Sequence, residues 1–194
     1  MKTAIVTIIG ESPYSQSRCY DQEVPKLPKE LPAAYEERTW RNRMHVTSDG
    51  FVQIPGTSFA NSIKEGAKRL KLQVPGKGRV EYTKYFEAGL MVPKPLILPV
   101  KAEDVPGEKL FVPSDGRRGG GKRVWKIFPR IDVWRGEITI YIFDDIITED
   151  ICQQVIVASG LIVGIGRFRP QNCGFYGRFS VVSFRWIEGL AAAA

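Results

Sequence analysis

The chain has 194 residues, 43% of them hydrophobic and 25% charged, a composition that supports one substantial core and excludes a disordered tail. With 28 Lys+Arg against 21 Asp+Glu the net charge is +7, which favours a polyanionic partner such as nucleic acid, the plain alternative being a solvated positive face. Cys19, Cys152 and Cys173 lie far apart, so neither a disulfide framework nor a zinc site is predicted, no metal or other cofactor is expected, and a reducing cytoplasm is the expected compartment. No 18 consecutive apolar residues occur, and the apolar run Met1–Gly10 has no small-residue cleavage site behind it. No secretion or membrane insertion is therefore expected.

Ala4–Ile9 is a short β-branched run ending at Gly10, the pattern of a buried central strand. Glu11–Asp49 holds four prolines and many charges without a long periodic run, so an insertion or flexible arm is predicted rather than core, with a short helix within Tyr35–Met44. Phe51–Ile54 reads as a strand stopped by Pro55 and Gly56. A helix capped by Thr57 or Ser58 then runs to about Leu70, with Phe59, Ile63, Ala67 and Leu70 on one face. From Gln73 to Gly121, proline, glycine and charge interleave with strand-like pieces at Arg79–Phe86 and Leu90–Val92, which predicts a second lobe of hairpins. Arg123–Phe128 and Glu137–Phe143 alternate as strands. Thr148 caps a helix with Ile151, Val155 and Ala158 on one face and Gly160 placed to end it, and Phe179–Trp186 is the last strand.

With the insertions set aside, the order is strand, helix, strand, strand, helix, strand. This predicts an α+β, ferredoxin-like (RRM-like) βαββαβ palm over residues 1–190, with insertions at about 11–49 and 73–121 and a short tail at 191–194.

The chemistry concentrates in two loops. Gly164–Phe179 holds four glycines, three arginines, four aromatics and no acid. Glycine lets backbone amides approach a phosphate, arginine supplies forked donors, and aromatic rings stack on unpaired bases. Arg167, Phe168, Arg169, Tyr176 and Arg178 are therefore RNA-binding candidates, the alternative for Phe168, Phe175 and Phe179 being plain core packing. Asp115–Arg123 is a second basic, glycine-rich loop, in which Arg117, Arg118, Lys122 and Arg123 can clamp a nucleic-acid backbone or simply be solvated. Gly116–Lys122 fits G-x-x-x-x-G-K. Arg123, however, stands where a P-loop needs the magnesium-ligating Ser or Thr, and a strand-like VWKIF follows instead of a helix, so a nucleotide-hydrolase reading is rejected. His45 is the only histidine and has no catalytic partner in its vicinity. Asp144 and Asp145 read as a loop complementing the helix that follows rather than as a metal site.

Gly50–Phe59 (GFVQIPGTSF) closely resembles the signature of the RAMP superfamily, in which a G-x-x-x-IPGSSL-type turn opens the first helix of a ferredoxin-like domain. Gly10–Tyr14 (GESPY) and the Gly164–Phe179 loop resemble, in the right order, the family's opening after the first strand and its late glycine-rich loop. Within the superfamily, the size and the two long insertions resemble the repeating backbone subunits of class 1 CRISPR effectors.

That resemblance implies a palm that cradles guide RNA, with a thumb-like hairpin from Gln73–Arg123 crossing to the next copy. Ser58, Asn61 and Lys64, with Lys68 on the same helix, lie near the RNA backbone in this picture, although Ala60 and Asn61 replace the Lys-Gly that often follows the turn. The implied partners are guide RNA, a target DNA or RNA strand, copies of the chain in a filament and other CRISPR effector subunits, with no membrane. The aspartate that cuts target RNA in some relatives has no match in Ala34–Trp40; Asp21, Glu36 and Glu37 are the nearest acids, and no catalytic residue is assigned. Two alternatives stay open. One is a RAMP endoribonuclease using His45, Tyr35 or loop carboxylates, and the other is a free-standing single-strand nucleic-acid-binding protein of a phage or plasmid.

Overall fold

The structure, a computed structural model, describes residues 1–20, 23–114 and 121–189. In chain order it has β1 (Lys2–Gly10), α1 (Pro32–Thr39) running into a 3-10 turn (Trp40–Arg43), β2 (Phe51–Ile54), α2 (Gly56–Leu70), α3 (Thr83–Ala88), β3 (Leu90–Met91), β4 (Leu96–Lys101), β5 (Gly107–Pro113), β6 (Arg123–Pro129), β7 (Arg135–Ile142), α4 (Glu149–Ala158) and β8 (Phe179–Glu188).

Alternation along β1 sends Ala4, Val6 and Ile8 to one face, where all three are fully buried. They pair across the ladder with Ile140, Ile138 and Gly136 of β7 and with Trp186, Phe184 and Val181 of β8, a register shift after Thr7 keeping the apolar side chains of β8 on that face. The antiparallel sheet runs β3, β7, β1, β8. With α2 between β1 and β3, and α4 between β7 and β8, this is the ferredoxin-like split βαβ order.

Both helices cover the same face of the sheet. α2 buries Phe59, Ile63 and Ala67, and α4 buries Cys152, Val155 and Ile156, each set at the three-and-four spacing that makes one helical face apolar. Phe59 meets Phe179 of β8 edge-to-face, ring centroids 6.2 Å apart. Truncating a phenylalanine so enclosed costs about 3–5 kcal/mol. No helix among the described residues is long and apolar enough to cross a membrane.

Several expectations are corrected. Arg123–Phe128 is not a palm strand: as part of β6 it pairs along its length with β5 in a separate antiparallel hairpin. The palm's second strand is the two-residue β3, on the sheet edge beside β7. Arg79–Phe86 is not strand-like, because Thr83–Ala88 winds into α3 and buries Phe86. α2 begins two or three residues early, with Pro55 as its cap and no side-chain cap bond from Thr57 or Ser58. Gly160 does not end α4; the chain continues through a π turn, Ser159–Val163, and stops at Gly164, whose φ is +70°. The two ends of the stretch 11–49 pack on the core, with Tyr14, Tyr20, Trp40 and Met44 buried, while its middle around Leu27 and Leu31 is exposed. The 191–194 tail lies outside the described residues.

Candidate nucleic-acid interface

β1 ends at Gly10, and the chain then runs along the late glycine-rich loop. The Glu11 amide donates to the Arg178 carbonyl (2.9 Å), the Gly177 amide to the Pro13 carbonyl (2.8 Å) and the Arg167 amide to the Ser15 carbonyl (2.8 Å). Gly166 is essential to that approach: its φ is +73°, and a Cβ there would lie 2.4 Å from the Ser15 carbonyl oxygen. The facing wall is the first turn of α2. A Cβ at Gly56 would lie 2.3 Å from the Val92 carbonyl oxygen, so the Ile-Pro-Gly turn presses directly on the chain leaving β3.

Between these walls is a cleft of about 360 Å³. Thr57, Ser58 and Asn61 line it from α2, Gly166, Arg167 and Arg169 from the late loop, and Tyr14, Gln16 and Ser17 from the chain after β1, with Pro55 and His45 completing the wall. No Asp or Glu is among the lining residues. The first amides of a helix have no intrahelical acceptor and carry the positive end of its dipole, which adds to the two arginines.

Arg167 is held flat. Its guanidinium carbon sits 3.1 Å from the Phe128 ring centroid and 3.8 Å from that of Phe168. Burial, then the nearby Arg43, push its pKa down to about 10. Nη1 of Arg167 and Nε of Arg169 are both buried without a hydrogen-bond partner in the protein, as are both amide atoms of Gln16. His45 is held below its ordinary imidazole range by burial and by Arg18. Buried donors without acceptors carry a desolvation cost that an incoming anion relieves.

The structure thus brings together Ser58, Asn61, Arg167 and Arg169 of the predicted set. Phe168 supports the cleft by stacking on Arg167. Tyr176 donates its hydroxyl to Glu108, and Arg178 donates Nε to the Leu161 carbonyl (3.3 Å), so neither lines the cleft. Lys64 and Lys68 sit farther along α2 and are also absent from its wall.

Lys122 and Arg123 lie at the end of the β5–β6 hairpin, where Arg123 donates to the Phe111 carbonyl (3.0 Å) and sits over the Phe111 ring. Phe111 and Trp125 project there, ring centroids 5.2 Å apart and 47% and 59% exposed. Arg117, Arg118 and Asp21 lie outside the described residues. Of the competing core assignments, Phe179 is buried while Phe168 and Phe175 are exposed. Tyr14, Gln16, Ser17, His45, Pro55, Thr57 and Gly166 are the cleft residues that sequence reasoning did not assign to RNA.

No protein-family model matches the chain, and no curated protein matches it in sequence. Among the solved structures that match, two align with nearly all of it. Both are of the Cmr type. The crystal structure of Cmr6 from Pyrococcus furiosus covers 93% of this chain and 99% of its own, at 12% identity and a TM-score of 0.46. A chain of the type III-B Cmr-beta complex bound to cognate target RNA covers 96% of this chain at 9% identity and a TM-score of 0.45, and this chain spans 60% of that one.

Proposed function

We propose that the chain is a non-catalytic RNA-holding subunit of a CRISPR effector complex, gripping the guide strand by its sugar-phosphate backbone and presenting it for pairing with a target. The observation that carries this reading is the state of Arg167: a stacked, largely buried guanidinium, no carboxylate beside it in the cleft wall, and a donor nitrogen without an acceptor. Burial and the nearby Arg43 disfavour the charged guanidinium, and Glu108 and Tyr176 offset this only in part; a phosphate entering at the α2 N-terminus supplies further negative charge. The resemblance of Gly50–Phe59 to the RAMP turn supports the same reading, since that turn lies beside the RNA backbone in the family picture. The hairpin, with Phe111, Trp125 and Arg123 at its outer face, is the thumb in this reading, reaching a neighbouring copy or another subunit along the same guide.

The test is binding of unstructured single-stranded RNA by fluorescence anisotropy across a salt series. Arg167→Ala with Arg169→Ala weakens binding irrespective of sequence and lowers the slope of log K against log salt by about 1.4, at about 0.7 for each phosphate no longer neutralised. Nuclease-treated protein that fails to bind RNA at low salt overturns the proposal.

One observation favours a second reading, a RAMP-type endoribonuclease: His45, the chain's sole histidine, lines the same cleft and is shifted by burial and Arg18 toward its neutral form, the form a general base requires. Cleavage products that appear with the wild type and vanish in His45→Ala decide for it; intact RNA after prolonged incubation decides against it.

A further inference from the structure

We infer that Gln16 makes the cleft selective for ribose over deoxyribose by pairing its buried carboxamide with a 2′-hydroxyl of the bound strand. This rests on the RNA-holding reading above and goes beyond it, since the phosphate contacts of Arg167 and Arg169 are the same for RNA and DNA.

Gln16 is only 4% exposed and lines the cleft, yet neither Oε1 nor Nε2 has a hydrogen-bond partner in the protein. The amide can be turned either way without changing that statement. Glutamine at such a position is costly unless something supplies both an acceptor for the NH2 and a donor for the carbonyl oxygen. A phosphate offers acceptors only and leaves Oε1 unpaired. A hydroxyl both donates and accepts, and the 2′-hydroxyl is the group by which a protein distinguishes RNA from DNA.

The position suits a sugar better than a base. Gln16 shares its wall with phosphate donors, and a 2′-hydroxyl lies on the same nucleotide as the phosphate that follows it. Of the two aromatic rings in the cleft wall, Tyr14 is fully buried and packed on Trp134 with centroids 5.7 Å apart, so it offers no free face for a base to stack on, and only the half-buried imidazole of His45 is left as a stacking surface. The local backbone fixes the placement, because the neighbouring Ser15 carbonyl accepts from the Arg167 amide at 2.8 Å. The carboxamide and the guanidinium are thereby set on adjoining, tied segments.

The experiment compares one fluorescein-labelled sequence as RNA, DNA and 2′-O-methyl RNA, on the wild type and on Gln16→Met, which keeps side-chain length and removes both polar atoms. The wild type is expected to bind RNA about tenfold more tightly than DNA or 2′-O-methyl RNA, the effect of one net hydrogen bond. Gln16→Met is expected to bind all three alike, at the wild type's DNA affinity, with a thermal midpoint in the absence of RNA no lower than that of the wild type. The comparison of the three strands on wild-type protein stands whether or not the variant folds. RNA preference that persists in Gln16→Met, or wild-type protein that binds RNA and DNA equally, overturns the assignment of Gln16 and leaves the RNA-holding reading intact. Wild-type protein that binds none of the three strands overturns both.

Discussion

At the scale of single residues, the cleft is a place where stability has been given up. Stacking on Phe128 and Phe168 returns roughly 0.5–2 kcal/mol per aromatic face to Arg167, while partial burial and the nearby Arg43 disfavour its charged form. Arg167→Met is therefore expected to melt at or above the wild-type temperature while losing RNA affinity; a lower midpoint with RNA binding retained contradicts this account. His45 gives a second, pH-dependent signature. Its folded pKa lies below the ordinary 6.5, so its neutral form is favoured by folding, and its contribution to stability is fully present above 6.5 and declines as pH falls toward the folded pKa. Removing the imidazole in His45→Gln flattens that part of the thermal-midpoint profile. Bound polyanion reverses the sign, because a phosphate favours imidazolium: NMR titration is expected to show the His45 pKa rising on RNA addition. The two arginines were legible as candidates because glycine, arginine and aromatic residues cluster in one loop. Gln16 was not, since a polar residue in a proline-rich stretch carries no local mark of being buried; only the fold, which lays 11–17 against 164–178, reveals it.

At the scale of elements, the strongly periodic segments were legible and the non-local pairings were not. β1, α2, α4 and β7 each bury one regular face, and their identity follows from spacing; β8 fully buries only Phe179, with Val181, Phe184 and Trp186 half-buried. β3 has two residues and no pattern of its own; it forms because β7 offers Ile142 and Tyr141 as partners. β6 alternates like any palm strand, and nothing local states that its partner is β5. The anchor of that hairpin is a side-chain cluster. Glu36 of α1 accepts from Arg43 with both oxygens at 2.8 Å and takes the Ile127 amide of β6 at 2.7 Å, while Arg43 Nε donates to the Ile127 carbonyl at 3.0 Å. Both side chains are nearly buried, so deleting one partner strands the other's charge. Glu36→Ala is expected to cost about 3 kcal/mol by urea denaturation and to speed hydrogen exchange at Ile127. Glu36→Gln, which keeps an acceptor for that amide, is expected to cost less. Equal losses in the two variants rule out the Ile127 bond as the anchor.

At the scale of the whole molecule, charge and fold act on the same partner by different laws. The net charge of +7 attracts any polyanion at long range and is screened within about 10 Å at 0.1 M salt, whereas the cleft acts only on a strand seated in it. Melting curves with RNA separate the two. A ligand that binds the folded state alone at 100 times its Kd adds about 2.7 kcal/mol. For a chain of this size that raises the melting temperature by roughly 5–10 °C. The rise is expected to shrink steadily between about 50 and 200 mM salt, as added cations reduce the gain from releasing those condensed on the strand. In Arg167→Ala with Arg169→Ala it is expected to be small at every salt concentration, although the variant keeps five of the seven net charges. A heparin control distinguishes the alternatives: if generic positive charge were the whole explanation, heparin would stabilise wild type and variant alike, and RNA would do no better than heparin.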